Sequence, residues 1–270
     1  WGNPSSLYDF GIQAARQVRA ARHTLAKALG AEPDRVYFTS CGTEADNWAV
    51  YGTVRKLGKR GKHIVTTAME HHAILNCMKD LEAQGYEVTY LQPDSLGNIT
   101  VEQLKQALDI SPRLKSFPAL IQGGGQEGGY RSGTEATPAI FAFAAAAEAG
   151  IQTFRQDTAR EKELLNSLCE KLSVLPGLVL TGAHEAPHIL NIAIPGVPTQ
   201  NTINILQDAG ICVSAGSACA KGHRSHVLTA MGIPGETIDS AFRVSLCRDN
   251  TQEEIDTLVE VIRRDILPRI

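Results

Sequence analysis

A cysteine stands alone among small residues in Ser214-Ala215-Gly216-Ser217-Ala218-Cys219-Ala220-Lys221-Gly222. Neighbours of this size let the backbone flex and leave the thiol open to attack. Lys221, His223 and Arg224 are close enough in sequence to favour the thiolate over the thiol. A small buried cysteine in a tight turn fits the same residues. Phe38-Thr39-Ser40-Cys41-Gly42-Thr43-Glu44 has the composition of a strand end that turns into a helix start. Unpaired amides and the positive end of the helix dipole suit a phosphate there, with Gly42 allowing close approach and the Thr43 hydroxyl donating. A capped helix start with no ligand fits equally well.

Glu70-His71-His72-Ala73 follows the next strand pattern. An imidazole in that position can stack on an aromatic ring or move protons near neutral pH. Adjacent histidines do not share a helix face, so one metal bound by both is disfavoured. Gly123-Gly124-Gly125-Gln126-Glu127-Gly128-Gly129 lacks the lysine ending of a P-loop and reads as a mobile turn. Arg131-Ser132-Gly133-Thr134-Glu135 adds a cation and two hydroxyls. Arg243 interrupts the apolar strand pattern Phe242–Leu246, so its planar fork needs a carboxylate, either within the fold or on a ligand.

The elements that must position these groups alternate. Helical spacing runs from Ile12 to Leu29, 44 to 57, 71 to 84 and 101 to 108, with strand patterns at 36–39, 63–67 and 87–91. This alternation predicts an α/β domain with a largely parallel sheet over residues 1–138. A smaller α/β domain is expected over 139–270, carrying the cysteine segment. It opens with a long helix from Pro138 to Leu172, followed by strands at 178–181, 189–194, 211–214 and 242–246. Helices are expected at 200–209, 225–231 and 251–266, the last begun by a Thr251/Glu254 capping box.

Composition narrows the function. The chain has 270 residues and a net charge of -3, with no basic run, which gives no reason to expect nucleic acid. The apolar stretch 139–147 is too short to span a bilayer, so no membrane partner is expected. The six cysteines are scattered, without a C-x-x-C pair, which disfavours structural zinc and suits free thiols in a reducing, cytoplasmic setting. The chain opens on Trp1 rather than Met, so the natural N-terminus is expected upstream.

Taken in order, these segments resemble the cysteine desulfurases of class V among the fold-type-I pyridoxal phosphate (PLP) enzymes. The resemblance rests on GNPSS at 2–6, FTSCGTEADN at 38–47 and EHHAILN at 70–76. It continues through GGGQEGGYRSGTE at 123–135, SAGSACAKG at 214–222 and FRVSLCRDNT at 242–251. It implies that Gly42 and Thr43 hold the PLP phosphate and that His71 stacks on the ring. Thr134 would reach the phosphate of a neighbouring subunit, which implies a homodimer. Asn3 and Arg243 would bind the substrate L-cysteine, and Cys219 would accept its sulfur for delivery to an acceptor protein such as an iron–sulfur scaffold. Related activities, a selenocysteine lyase or a cystine C–S lyase, remain open. So does a PLP-free assembly scaffold without catalysis. The family's Schiff-base lysine, in an S-x-H-K segment, is not present in this sequence. The jump falls near 109–112, between Leu108 and Pro112-Arg113-Leu114-Lys115, where several tens of residues are absent. Either the natural chain carries residues there that this sequence omits, or the sequence is a true deletion. The first is favoured, because losing central strands would expose a sheet's backbone donors and acceptors.

Overall fold

The computed structural model describes residues 2–7, 9–108, 118–215 and 224–270. Backbone contacts divide the chain into two compact units. The first comprises Trp1–Ile64, Glu70–Val88 and Ile110–Phe154, and the second Val65–Met69, Thr89–Asp109 and Arg155–Ile270. The division falls inside one long helix, α5 (Thr137–Ser173), near whose start the sequence places its own boundary.

The first unit is mostly helical. α1 (Asp9–Leu29) buries Ala14, Val18, Ala21 and Leu25 on one stripe, and Gly30 ends it at positive φ. α2 (Gly42–Leu57) and α3 (His72–Ala83) follow. A small apolar cluster of Ala21, Leu25, Ile140 and Ala144 joins α1 to the start of α5. The expected strand at 36–39 does not form a ladder. Its backbone is spoken for by side chains: the Phe38 amide donates to the Glu127 carboxylate at 3.0 Å, and the Val36 carbonyl accepts from Arg22.

β1 (His63–Thr67) and β2 (Glu87–Leu91) form a two-stranded sheet, with α3 between them in sequence. The Glu87 amide donates to the Lys62 carbonyl at one end, and the Ala68 amide to the Leu91 carbonyl at the other. Starts pair with starts, so the strands are parallel, as the alternation of elements predicts. None of their ten residues is buried. α4 (Val101–Ala107) follows β2 and begins with a Thr100/Gln103 capping box.

The second unit carries a full core. β3 (Val179–Thr181), β4 (Ile189–Ala193) and β5 (Ala241–Ser245) form an antiparallel sheet in that order. Leu190, Ile192 and Phe242 are fully buried against Leu168 and Leu172 of α5 and Leu258 of α9 (Gln252–Val261). α6 (Thr199–Asp208), α7 (His226–Ala230) and α8 (Gly235–Asp239) complete it. The strand expected at 211–214 is reduced to one antiparallel bridge between Ser214 and Arg243. Among the described residues no helix is long and apolar enough to cross a membrane.

Candidate functional site

In the first unit the residues expected to hold a phosphate gather at two helix starts. Cys41 is the N-cap of α2 and makes no side-chain capping bond, leaving Gly42 and Thr43 exposed in the first turn. A Cβ on Gly42 would meet nothing within 4 Å, so a ligand can reach the backbone there. The Glu44 and Thr43 amides and the Ser40 hydroxyl, the Glu44 amide foremost, hold the exposed Cys41 thiol below its usual range. His71 is the N-cap of α3, its Nδ1 accepting from the Ala73 amide at 3.2 Å. That bond leaves Nδ1 unprotonated and puts the ring proton on Nε2.

Asn47, which sequence reasoning missed, ties the two starts together. Its Nδ2 donates to the Thr43 carbonyl at 2.9 Å and to the Ala73 carbonyl at 3.4 Å. The structure therefore brings Gly42, Thr43 and His71 into one neighbourhood. Asn47 lies four residues after Thr43, the helical spacing that was the one legible sign.

Arg131 is not a free cation. Its guanidinium donates to Glu44 at 2.8 and 3.3 Å, and Glu44 also accepts from the Ser40 amide at 2.7 Å. Arg131 first, helped by Ser40, lowers the Glu44 carboxyl to about 2. The glycine run is not a loose turn either. Leu120 and Ser132 pair across it with Tyr130 and Ile121, and Glu127 enters the interior at φ 50°. There its carboxylate takes a bidentate pair from Arg22 at 2.8 and 2.7 Å, with the Glu127 side chain 1% exposed.

Thr134 is exposed and lines a cavity of about 320 Å³ together with Thr39, Ser40, Arg131, Glu135 and Phe143. Asn3 is exposed, and its Oδ1 accepts from the Ser5 amide at 2.9 Å, shaping the 3–6 turn. Gln126 reaches back to the Ser5 hydroxyl at 3.3 Å, linking that turn to the glycine run.

In the second unit, Arg243 sits mid-strand in β5. Its amide donates to the Ser214 carbonyl at 2.7 Å, and the Ser214 amide returns a bond at 3.1 Å. Its Nε is buried with no partner among the described residues. A buried guanidinium nitrogen without an acceptor is costly, so the position calls for an anion. Cys219, five residues beyond Ser214, lies outside the described residues, as do Lys221 and His223.

The family description "Aminotransferase class-V" matches residues 1–121 and 121–258, and the chain belongs to that family, on its cysteine desulfurase branch. It is 31% identical to the cysteine desulfurase IscS of Clostridium botulinum over 350 positions, covering all of this chain and 88% of the relative. The cysteine desulfurase of a Nostoc species is 32% identical over 97% of the chain and 85% of its own length. A solved NifS-like protein superposes with a TM-score of 0.88 at 28% identity, covering 100% of this chain and 92% of that one. The 350 positions exceed the 270 residues of this chain by 80, so at least that many aligned positions have no residue here.

Proposed function

We propose that the chain is a cysteine desulfurase that takes sulfur from L-cysteine onto Cys219 and releases L-alanine. The observation that carries this is the buried Nε of Arg243, without a partner among the described residues, and the backbone bonds that join Arg243 to Ser214, five residues before Cys219 in sequence. Arg243 binds the substrate carboxylate, and Asn3 contributes from the turn at 3–6. The donor set also suits the family's cofactor. The amides of the first turn of α2 and the Thr43 hydroxyl would hold the phosphate of PLP, and the His71 ring, fixed by Ala73, would pack against the pyridine. Thr134, exposed, serves the phosphate of a second copy in a homodimer. No described lysine stands in the first turn of α2 or α3. Lys56 lies about 20 Å along α2 from Thr43 at 1.5 Å per residue. When bound, PLP supplies an electron sink at the substrate α-carbon.

The Cys219 thiolate attacks the substrate sulfur. An S–S bond forms as the Cβ–S bond breaks, and protonation at carbon gives alanine, leaving a persulfide on Cys219. That persulfide is the form in which sulfur passes to an acceptor protein such as an iron–sulfur scaffold. The five described cysteines are all free, which supports a reducing, cytoplasmic setting. The large PLP-binding domain is assigned to 1–138 and the small one to 139–270.

Incubating the chain with PLP and L-cysteine tests the reading, and one turnover is enough for the readout. Peptide mass spectrometry should place a persulfide on Cys219, with alanine released in equal amount, and Cys219→Ala should abolish both. Alanine release unchanged in Cys219→Ala would establish a lyase that needs no acceptor thiol. Neither product in the intact chain would establish a scaffold without catalysis.

A further inference from the structure

One row of side chains crosses the β3–β4–β5 sheet without an apolar member. Thr181 pairs with Asn191, Asn191 with Arg243, and Arg243 with Ser214. Residues directly opposite each other share a face of the sheet, so these side chains stand side by side. Asn191 is the only polar residue of β4, whose sequence is ILNIA. On the same face the next row, Ala193 and Ala241, is apolar and clusters with Leu228, Met231 and Ile238. A polar row inside such a sheet is costly unless its groups are used.

The pairing shows what Asn191 faces. The Leu246 amide bonds to the His188 carbonyl and the Ile194 amide to the Ser240 carbonyl, so backbone-bonded pairs alternate along β4 and skip Asn191 and Arg243. Arg243 sends its own amide and carbonyl to Ser214. Opposite residues that exchange no backbone bonds bring their side chains closest together. On the other side of Asn191, the buried Thr181 hydroxyl donates to Oδ1 at 2.6 Å. That bond leaves both Nδ2 protons for another acceptor, and Nδ2 has no partner among the described residues. An unspent amide therefore stands beside a guanidinium whose buried Nε is also unspent. A carboxylate offers about four lone-pair sites, and a guanidinium fork fills about two of them.

We propose that Asn191 is a further donor to the substrate carboxylate held by Arg243, and that Thr181 is the positioning residue that orients the Asn191 amide. The row reads an α-amino-acid carboxylate through the guanidinium fork and an amide together. This rests on the carboxylate-binding role of Arg243 proposed above.

The test follows the Nε–H resonance of Arg243 by NMR in the PLP-free 270-residue chain carrying isotope-labelled arginine, assigned through Arg243→Lys. L-alanine is the probe, and ethylamine, which lacks its carboxylate, is the control. L-alanine should move the resonance and ethylamine should not. In Asn191→Ala the half-saturating concentration should rise about tenfold. Thr181→Val should raise it about threefold, and Thr181→Ser, which keeps the hydroxyl, should restore it; a role confined to sheet stability would not follow the hydroxyl. In Asn191→Asp the resonance should lie at its alanine-bound position without ligand, because the new carboxylate pairs with Arg243, and L-alanine should move it no further. Unchanged half-saturation in Asn191→Ala overturns the role of Asn191, and in Thr181→Val that of Thr181, each leaving Arg243 as it stands. Should Asn191→Ala not fold, Asn191→Asp decides: a resonance at the free position that still responds to L-alanine overturns the proposal. No response of the unaltered chain removes Arg243 from the carboxylate site, and the proposal falls with it.

Discussion

β4 and β1 are both five-residue strands rich in branched side chains, and they meet opposite fates. β4 lies between β3 and β5 with Leu190, Ile192 and Ala193 at 0% exposure, whereas β1 has one strand beside it and buries nothing. Composition makes a segment extended; neighbours on both edges and both faces make it core. The two units also hold together by different means. The second rests on a cluster of seventeen buried apolar side chains. The first has a buried cluster of four, supplemented by the Arg22–Glu127 and Glu44–Arg131 pairs and the Asn47 clamp. The ion pairs of the second unit, such as Arg224–Asp239, are exposed and contribute little.

That contrast can be broken or sharpened by measurement. Phe242→Ala, at a fully buried position, should cost about 3–5 kcal/mol in urea unfolding of the second unit. Val65→Ala in half-buried β1 should cost under about 1.5 kcal/mol, and a loss equal to that of Phe242→Ala would erase the distinction between β1 and the buried strands. Glu127→Ala should destabilise the first unit by about 3 kcal/mol, because Arg22 keeps a part-buried charge without its partner. Circular dichroism melts should show that loss without a matching fall in the second unit. Acid should act on the first unit in the same direction. The Glu44 carboxyl is held at about 2 when folded against an ordinary value of 4.5. Its stabilisation is therefore complete above pH 4.5 and disappears as pH falls towards 2. About 2 kcal/mol should be lost over that window, and Arg131→Met should flatten the profile. Thr251→Ala removes one half of the capping box on α9 and should cost about 1 kcal/mol, the smallest effect, read from the melting temperature of the second unit.

What was legible in the sequence was local. The Thr251/Glu254 box starts α9 as expected, and the start of α3 follows from its periodicity. The final helix, read as continuous to Ile266, widens into a π-turn over Ile262–Ile266, a change in hydrogen-bond spacing that apolar periodicity does not reveal. Segments 36–39 and 211–214 have strand composition but lack the partner that turns an extended chain into a ladder. α8, five residues after Pro234, is too short to show a period. The positions of Gly42, Thr43 and His71 at helix starts were readable from their composition. The roles of Arg131 and Glu127 were not, because their partners Glu44 and Arg22 lie 87 and 105 residues away in sequence.

The bridge between Ser214 and Arg243 has a mechanical consequence. Arg243, whose buried Nε has no partner among the described residues, is clasped, amide to carbonyl in both directions, to Ser214, just ahead of the stretch that holds Cys219 in sequence. A carboxylate drawing on that guanidinium would tug on the same anchor point.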